Sequence, residues 1–260
     1  MPTHLVIPDA HASINVSNRR FDWLGEFILK EQPDVIIDIG DFGDLSTLGT
    51  YDVGTKNGEG KRILDEVACI KDASDRVFKR IQTYNSTRTR HKKPQYNPKI
   101  IRCGGNHEEG RLKRFINENP RFEGLVTLEQ MGFKDHGAEY VPFLQPRLVD
   151  GIAYSHFFYV KDKRYPISTA KMLLQKLHMS ATCGHSHIRD FSEAARPDGK
   201  RIQGLIVGGY HDPENKDSDY AGPQGVLTWW SGVVMKYVNE SGGTYSPRFI
   251  DIEELQKRYG

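Results

Sequence analysis

Cysteine is scarce in this chain. Cys69, Cys103 and Cys183 are an odd number with no Cys-x-x-Cys spacing. That argues against a disulfide framework or a thiolate zinc knuckle, and for buried thiols in a reducing compartment. Long apolar runs are missing too: none approaches the roughly 20 residues that span a bilayer, so no membrane partner is expected. The first residues, Met-Pro-Thr-His-Leu-Val-Ile-Pro-Asp, carry no basic segment and no long apolar stretch. No signal peptide is therefore expected, and the expected location is cytoplasmic. Repeats, low-complexity tracts and linkers are also absent. A chain of 260 residues can bury one large core, so a single domain over residues 1–260 is expected.

A net charge of one sign is lacking as well, at +2 overall, but the balance hides an uneven distribution. Residues 76–121 hold 13 Lys/Arg against 3 Asp/Glu, a net of +10, and the remainder carries −8. Such asymmetry bears on partners more than the total does.

Apolar residues over 4–8, 35–39 and 99–103 predict three buried strands. Phe21, Leu24, Phe27 and Ile28 recur at helical spacing before Pro33, and Ile63, Leu64, Val67, Ile70, Val77, Phe78 and Ile81 predict a helix over 61–84. Residues 45–60 and 85–98 read as loops, the second polar and basic, so about 50–98 is expected as a helical basic insertion. Further helices are predicted near 108–118, 124–131, 167–178 and 252–258. Strands are predicted near 147–149, 152–158, 180–183, 232–238 and 246–251. A hairpin of 189–195 and 201–208 is expected around Pro197-Asp198-Gly199. Alternating strands and helices followed by a strand-rich half predict an α/β sandwich.

Five short motifs follow apolar runs: Asp9-Ala10-His11, Gly40-Asp41-Phe42-Gly43-Asp44, Gly105-Asn106-His107-Glu108, His156 and Gly184-His185-Ser186-His187. Carboxylate and amide oxygens with imidazole nitrogens suit a borderline divalent metal. Sites in α/β sheets form beyond the carboxyl ends of strands, where these loops can converge. Two metals about 3.5–4 Å apart need a bridging carboxylate, and water between them is acidified towards hydroxide near neutral pH. Taken singly, Asp9 or Asp41 reads as a loop cap and His156 as a satisfied core histidine. The ordered set points to a dinuclear phosphoesterase site.

This order of motifs (DxH, GDxxD, GNHE, a lone His, GHxH) resembles the calcineurin-like metallophosphoesterase superfamily, from residue 4 to about 188. The resemblance implies a four-layer α/β/β/α fold with two divalent ions, Mn²⁺ expected and Fe, Zn²⁺ or Ni²⁺ as alternatives. It implies that Asp9, His11 and His187 hold the first metal, that Asn106, His156 and His185 hold the second, and that Asp41 bridges them. It gives catalytic roles to Asp41, to His107 near the leaving-group oxygen, and to Glu108 in orienting His107 or shaping the pocket. Asp44 would be a supporting group. Beyond His187 the chain departs from the pattern: Gly-Gly-Tyr-His at 208–211 stands where many members carry Asn-x-Gly-Ser.

Arg76, Lys79, Arg80, Arg88, Arg90, Lys92 and Lys93 lie between two metal-bearing strands, and Arg111, Lys113 and Arg114 follow His107. Both groups are expected at the metal-bearing rim. Arg88, Arg90, Lys92, Lys93, Arg111 and Arg114 are the candidate nucleic-acid contacts, because cations there attract phosphodiester backbone without reading sequence. Tyr84 and Tyr96 are candidate stacking residues. The plainer alternative is a solvated helix face. The expected function is hydrolysis of phosphodiester bonds in DNA or RNA by metal-activated hydroxide. The alternatives are a phosphomonoesterase on phosphoprotein, nucleotide or small ester, and a nucleic-acid-binding scaffold with a vestigial site. His91 and His136 read as solvated and His178 as structural. Trp229 and Trp230 read as buried in the second-half core. His211 is placed either near the site or away from it.

Overall fold

The structure is a computed structural model that describes residues 1–50, 60–160, 163–212 and 227–260. Much of the expected loop over 45–60 therefore lies outside the described residues. The three leading apolar runs are strands β1 (Thr3–Ile7), β2 (Val35–Asp38) and β3 (Lys99–Cys103). They lie parallel, with Leu5 opposite Ile36 and Ile36 opposite Ile100. Parallel strands are covered on both faces, which is why they read as unbroken apolar runs. β4 (Glu139–Val141), too short to show a period, extends the sheet beside β3. β12 (Gly232–Val238) and β13 (Tyr245–Asp251) complete it antiparallel on the other side of β1.

Helix α1 (Arg19–Glu31) joins β1 to β2, and α2 (Ile63–Arg90) lies between β2 and β3. Phe21, Leu24, Phe27 and Ile28 from α1, and Val67, Ile70, Val77, Phe78 and Ile81 from α2, pack on Leu5, Ile7, Ile36 and Ile100. The last helix, α5 (Ile252–Tyr259), adds Ile252 and Leu255 to the same core. So α2 is the crossover of a βαβ unit, buried along one face, and not an insertion set apart from the fold. It also runs on to Arg90, past the expected end near 84. The hydroxyls of Thr83, Ser86, Thr87 and Thr89 donate to carbonyls four residues back. The Asn85 side chain holds both backbone groups of Tyr96, at 2.7 and 2.8 Å. These contacts keep a loop-like sequence helical.

A second sheet has the order β10 (Arg189–Ala195), β11 (Arg201–Val207), β9 (Ala181–Cys183), β6 (Ile152–Tyr154), β5 (Arg147–Val149). Its middle strands β11, β9 and β6 are parallel. A small hairpin, β7 (Tyr159–Val160) with β8 (Lys163–Pro166), follows the His156 loop. Val6, Ile37, Ile39 and Ile101 of the first sheet meet Ile152, Tyr154, Leu205 and Val207 of the second. The other face of the second sheet, with Ala153, Ala181, Cys183 and Ile206, meets Leu173 of α4 (Ala170–Leu177). Thr169 caps α4 by accepting from the Met172 amide at 3.2 Å, which satisfies one donor of its first turn.

Helix α3 (Arg111–Glu118) follows the Asn106–Gly110 turn. No helix forms over 124–131. The Gln130 side chain accepts the Thr127 amide, and left-handed Gly124 and Gly132 bracket the segment. The three cysteines are free thiols. Among the described residues, no helix is long and apolar enough to cross a membrane.

Candidate metal centre

The loops after β1 and β2, and those after β6 and β9, are laced together by backbone bonds. Ala10 and His11 amides donate to the Asp41 carbonyl at 3.0 and 2.9 Å, and Gly184 donates to the His156 carbonyl at 2.9 Å. The His185 amide donates to Asp9 Oδ2 at 2.8 Å, which links the two sheets at the site. Two glycines permit the close approach. A Cβ on Gly105 would strike the Asp41 carboxylate, and one on Gly184 would strike Asp9. His11 (φ 46°), Asp41 (50°), His185 (74°) and His187 (57°) are all left-handed. For non-glycine residues that conformation costs about 1–3 kcal/mol each and persists only where the surroundings dictate it, most often at functional sites.

Two groups of metal-binding type result. In the first, His11 Nε2 lies 3.1 Å from His187 Nε2, which lies 3.4 Å from Asp9 Oδ2. In the second, His156 Nε2 lies 3.2 Å from Asp41 Oδ2 and 2.8 Å from Asn106 Oδ1, with the His185 ring 5.3 Å from that of His156. Within each His/Asp group the ligand atoms lie within 4.8 Å of one another. Asp41 stands between the groups, its Oδ2 also 4.0 Å from His11 Nε2. The Asp9 Oδ1 atom is buried with no hydrogen-bond partner. Converging imidazole nitrogens beside an orphaned carboxylate oxygen fit divalent cations, and the all-nitrogen-and-oxygen donor set suits borderline ions.

The charges agree with that fit. Burial pushes the Asp9 carboxyl up, but His156 and His187 outweigh this and hold it below the usual range. Asp41 is likewise buried, and His156 and His107 hold it well below. Burial, reinforced by neighbouring histidines, lowers His11 and brings His185 down to about 4. Burial also opposes charge on His156, but Asp41 and Asp9 prevail and raise it to about 9. Ionised carboxylates with neutral imidazoles are the forms that bind metal, and His156 must release its proton to join them.

His107 sits beside Asp41. Its backbone amide donates to Asp41 Oδ1 at 2.8 Å, and its Nε2 lies 3.7 Å from Asp41 Oδ2. Its Nδ1 lies 2.9 Å from Asp44 Oδ1, and Arg111 Nη2 approaches its Nε2 at 3.2 Å. Arg111 also donates to the Asp44 carbonyl at 2.7 Å. The pairing of Arg111 with His107, four residues apart at the start of α3, was open to sequence reasoning from helical spacing and was missed. Of the two roles expected for Glu108, orienting His107 or shaping the pocket, its contacts fit the second. It does not orient His107: its Oε1 accepts the Gly105 amide at 2.9 Å, inside the protein. Burial, together with Asp41, raises its carboxyl well above the usual range, so it shapes the loop as a buried acid.

The structure does not bring Arg88, Arg90, Lys92 and Lys93 to the rim. The start of α2 is near the site, where Glu66 accepts from Ser46 at 2.6 Å. From Glu66 to Arg90 the helix rises roughly 36 Å at about 1.5 Å per residue. Its far end lies at the opposite strand ends, where Tyr96 donates to the Pro33 carbonyl at 2.7 Å and Tyr84 accepts from Gln32. Tyr96 is thus a buried structural residue. Arg76 and Arg80 are paired with Asp22, at 2.6 and 2.7 Å, and Arg102 is buried against Asp38 at 2.9 Å. Arg111 and Arg114 remain near the site, Arg114 donating to the Leu48 carbonyl. His136 is not solvated: Asp75 lies 2.8 Å from its Nε2.

Two residues join the site instead. His211 is half-buried, its ring 5.6 Å from His11 and 4.7 Å from His187. Trp229 lies 4.4 Å from the His187 ring, where a position in the second-half core was expected. The one sequence signal was the glycine-flanked strand-end position of His211.

No family model and no curated protein sequence matches the chain. Among solved structures it is similar to a single mutant of Vps29 from Entamoeba histolytica, at 12% identity and a TM-score of 0.39, covering 96% of this chain and 98% of that one. It is also similar to the Pseudomonas putida nuclease MPE, at 14% identity and a TM-score of 0.35, covering 94% and 87%.

Proposed function

We propose that this chain is a dinuclear metal-dependent phosphoesterase that cleaves phosphodiesters, with nucleic acid as its substrate. The observation that carries the reading is the pair of ligand groups flanking Asp41 with His107 alongside. Asp9, His11 and His187 would hold one ion, Asn106, His156 and His185 the other, and Asp41 both. The three apolar interfaces fit a four-layer α/β/β/α arrangement, and the donor set fits Mn²⁺ with Fe, Zn²⁺ or Ni²⁺ as competitors.

Two such ions supply Lewis-acid charge for a phosphoryl group and make water a nucleophile near neutral pH. The chain's own residues supply the rest. Asp44 accepts from His107 Nδ1 and stabilises the ring when Nε2 carries a proton. That proton can pass from Nε2 to the departing oxygen. Among the described residues, Arg111 is the guanidinium bonded to a side chain of the site.

A second reading, a phosphomonoesterase on a small ester, is favoured by the distance of the Arg88–Lys93 cations from the site. The test is turnover of bis-p-nitrophenyl phosphate against p-nitrophenyl phosphate, on chelated protein reloaded with Mn²⁺, with labelled single- and double-stranded DNA and RNA alongside. Diester and polynucleotide cleavage is the expected result. Monoester cleavage alone would move the protein to the second reading.

A further inference from the structure

The Gly208-Gly209-Tyr210-His211 segment and the strand entrance at Trp229–Ser231 are built onto the first ligand group. The Tyr210 amide donates to the Asp9 carbonyl at 2.7 Å, and the Trp230 amide to the His187 carbonyl at 3.0 Å. Gly209 bridges to both Asp9 and Ser231. Ser231 Oγ accepts from the His211 amide at 2.7 Å and donates to its carbonyl at 2.9 Å. The backbone of His211 is therefore fixed. Its ring folds over Gly209, where a Cβ would collide with it.

The rings continue the arrangement. His211 is stacked on His11 (interplanar angle 25°) and on Trp229 (23°, centroids 5.1 Å apart), so His11, His211 and Trp229 form one column. His187 meets all three edge-on, at 4.9 Å from His11, 4.7 Å from His211 and 4.4 Å from Trp229. A ligating imidazole must hold its plane to within about 10–20°, and usually a hydrogen bond to its second nitrogen does this. His11 has Asp44 only at 3.5 Å from its Nδ1. All three rings of the column thus lie against the His187 ring. Among the described residues, neither His211 nor Trp229 makes a ring contact with His156 or His185.

We infer that His211 and Trp229 are positioning residues that fix the ring planes of His11 and His187, and thereby tune the first metal position alone. This rests on the metal reading of the Asp9, His11 and His187 group. Supporting groups of this kind change metal affinity by about 10–100-fold.

The test is Mn²⁺ titration of the chelated full-length protein by calorimetry, with bound metal counted by elemental analysis and spin coupling followed by electron paramagnetic resonance. Wild type should take up two ions as a coupled pair. His211→Ala should weaken one ion about 10–100-fold, leave the other unchanged and give the spectrum of isolated Mn²⁺. His211→Phe, which keeps a stacked ring, should restore the pair. Trp229→Leu, at a half-exposed position, should repeat the one-site loss if His211→Ala fails to fold. Equal weakening of both ions, or wild-type binding in His211→Ala and Trp229→Leu alike, would overturn the inference. Failure of His211→Phe to restore the pair would also overturn it, by making His211 a ligand. A wild type that takes up no ion would overturn the metal reading and this inference with it.

Discussion

Asp44 Oδ1 lies 2.9 Å from His107 Nδ1, which makes Asp44 the residue that decides which way the imidazole faces. With Nδ1–H donated to Asp44, Nε2 is left towards Asp41 and Arg111. Burial raises the Asp44 carboxyl, but the hydrogen bond from His107 and the neighbouring His11 ring outweigh it and hold it well below the usual range, so the acceptor is charged throughout the neutral range. Asp44→Asn should lower kcat for a small diester about 10–100-fold with KM little changed. Its metal content should stay at two ions. Loss of an ion in Asp44→Asn would show that Asp44 ligates rather than orients.

Asp41 is the side chain shared by the two groups, and its Oδ1 also accepts the His107 amide. Asp41→Ala should therefore abolish turnover and empty both metal positions together. Elemental analysis after reloading checks this. Two retained ions would remove Asp41 from the bridging position.

Arg102 contributes to the +10 of residues 76–121, yet it is fully buried and adds nothing to a charged surface. Its Nε bonds Asp38 at 2.9 Å and its Nη1 bonds Ser74 at 2.8 Å, among the rings of Phe42, Phe78 and Phe133. Asp38 in turn accepts the Gly40 amide at 3.2 Å, so the pair supports the turn that carries Asp41. Removing one partner of a buried pair leaves an uncompensated charge and costs about 3–5 kcal/mol. Arg102→Ala should lose that much in urea denaturation, and Arg102→Met with Asp38→Leu should recover most of it. A loss under 1 kcal/mol would mean that water reaches the pair.

The loops of the candidate site were legible because parallel strands covered on both faces read as apolar runs, three of which end in glycine at Gly40, Gly104 and Gly184. β4, three residues at the end of a long run of turns, was not. Nor was the end of α2, where serine and threonine hydroxyls bond back to the helix. The misplaced basic cluster has a different cause. A crossover helix starts near the carboxyl end of one strand and returns to the amino end of the next. Residues just ahead of Lys99, the first of β3, must therefore lie at the end opposite the candidate metal centre. The connection predicts that placement; the charge count does not. His211 could not be placed from the sequence because its partners His11 and Trp229 are distant in the chain.

That geometry makes a prediction about the cations. Converting Arg88, Arg90, Lys92 and Lys93 to glutamine should leave diester turnover and DNA cleavage unchanged. Arg114→Gln on α3 should weaken DNA binding and reduce the salt slope by about 1, the share of one phosphate contact. A steep loss of DNA affinity in the fourfold variant would instead extend the substrate path along α2.

His156 is raised from 6.5 to about 9, its burial being outweighed by Asp41 and Asp9. A folded-state value above the unfolded one contributes stability that is fully present below about pH 6.5 and lost as pH rises through about 9. In metal-free protein, wild type should therefore exceed His156→Gln by a margin that shrinks across that window, by on the order of 3 kcal/mol. Mn²⁺ competes with the same proton, so its affinity should rise with pH over this window, with proton uptake by the buffer on binding. Thermal melts of both proteins in chelator from pH 6 to pH 9.5 read the margin directly. A margin that stays flat would mean that His156 is already neutral beside Asp41 when no ion is bound.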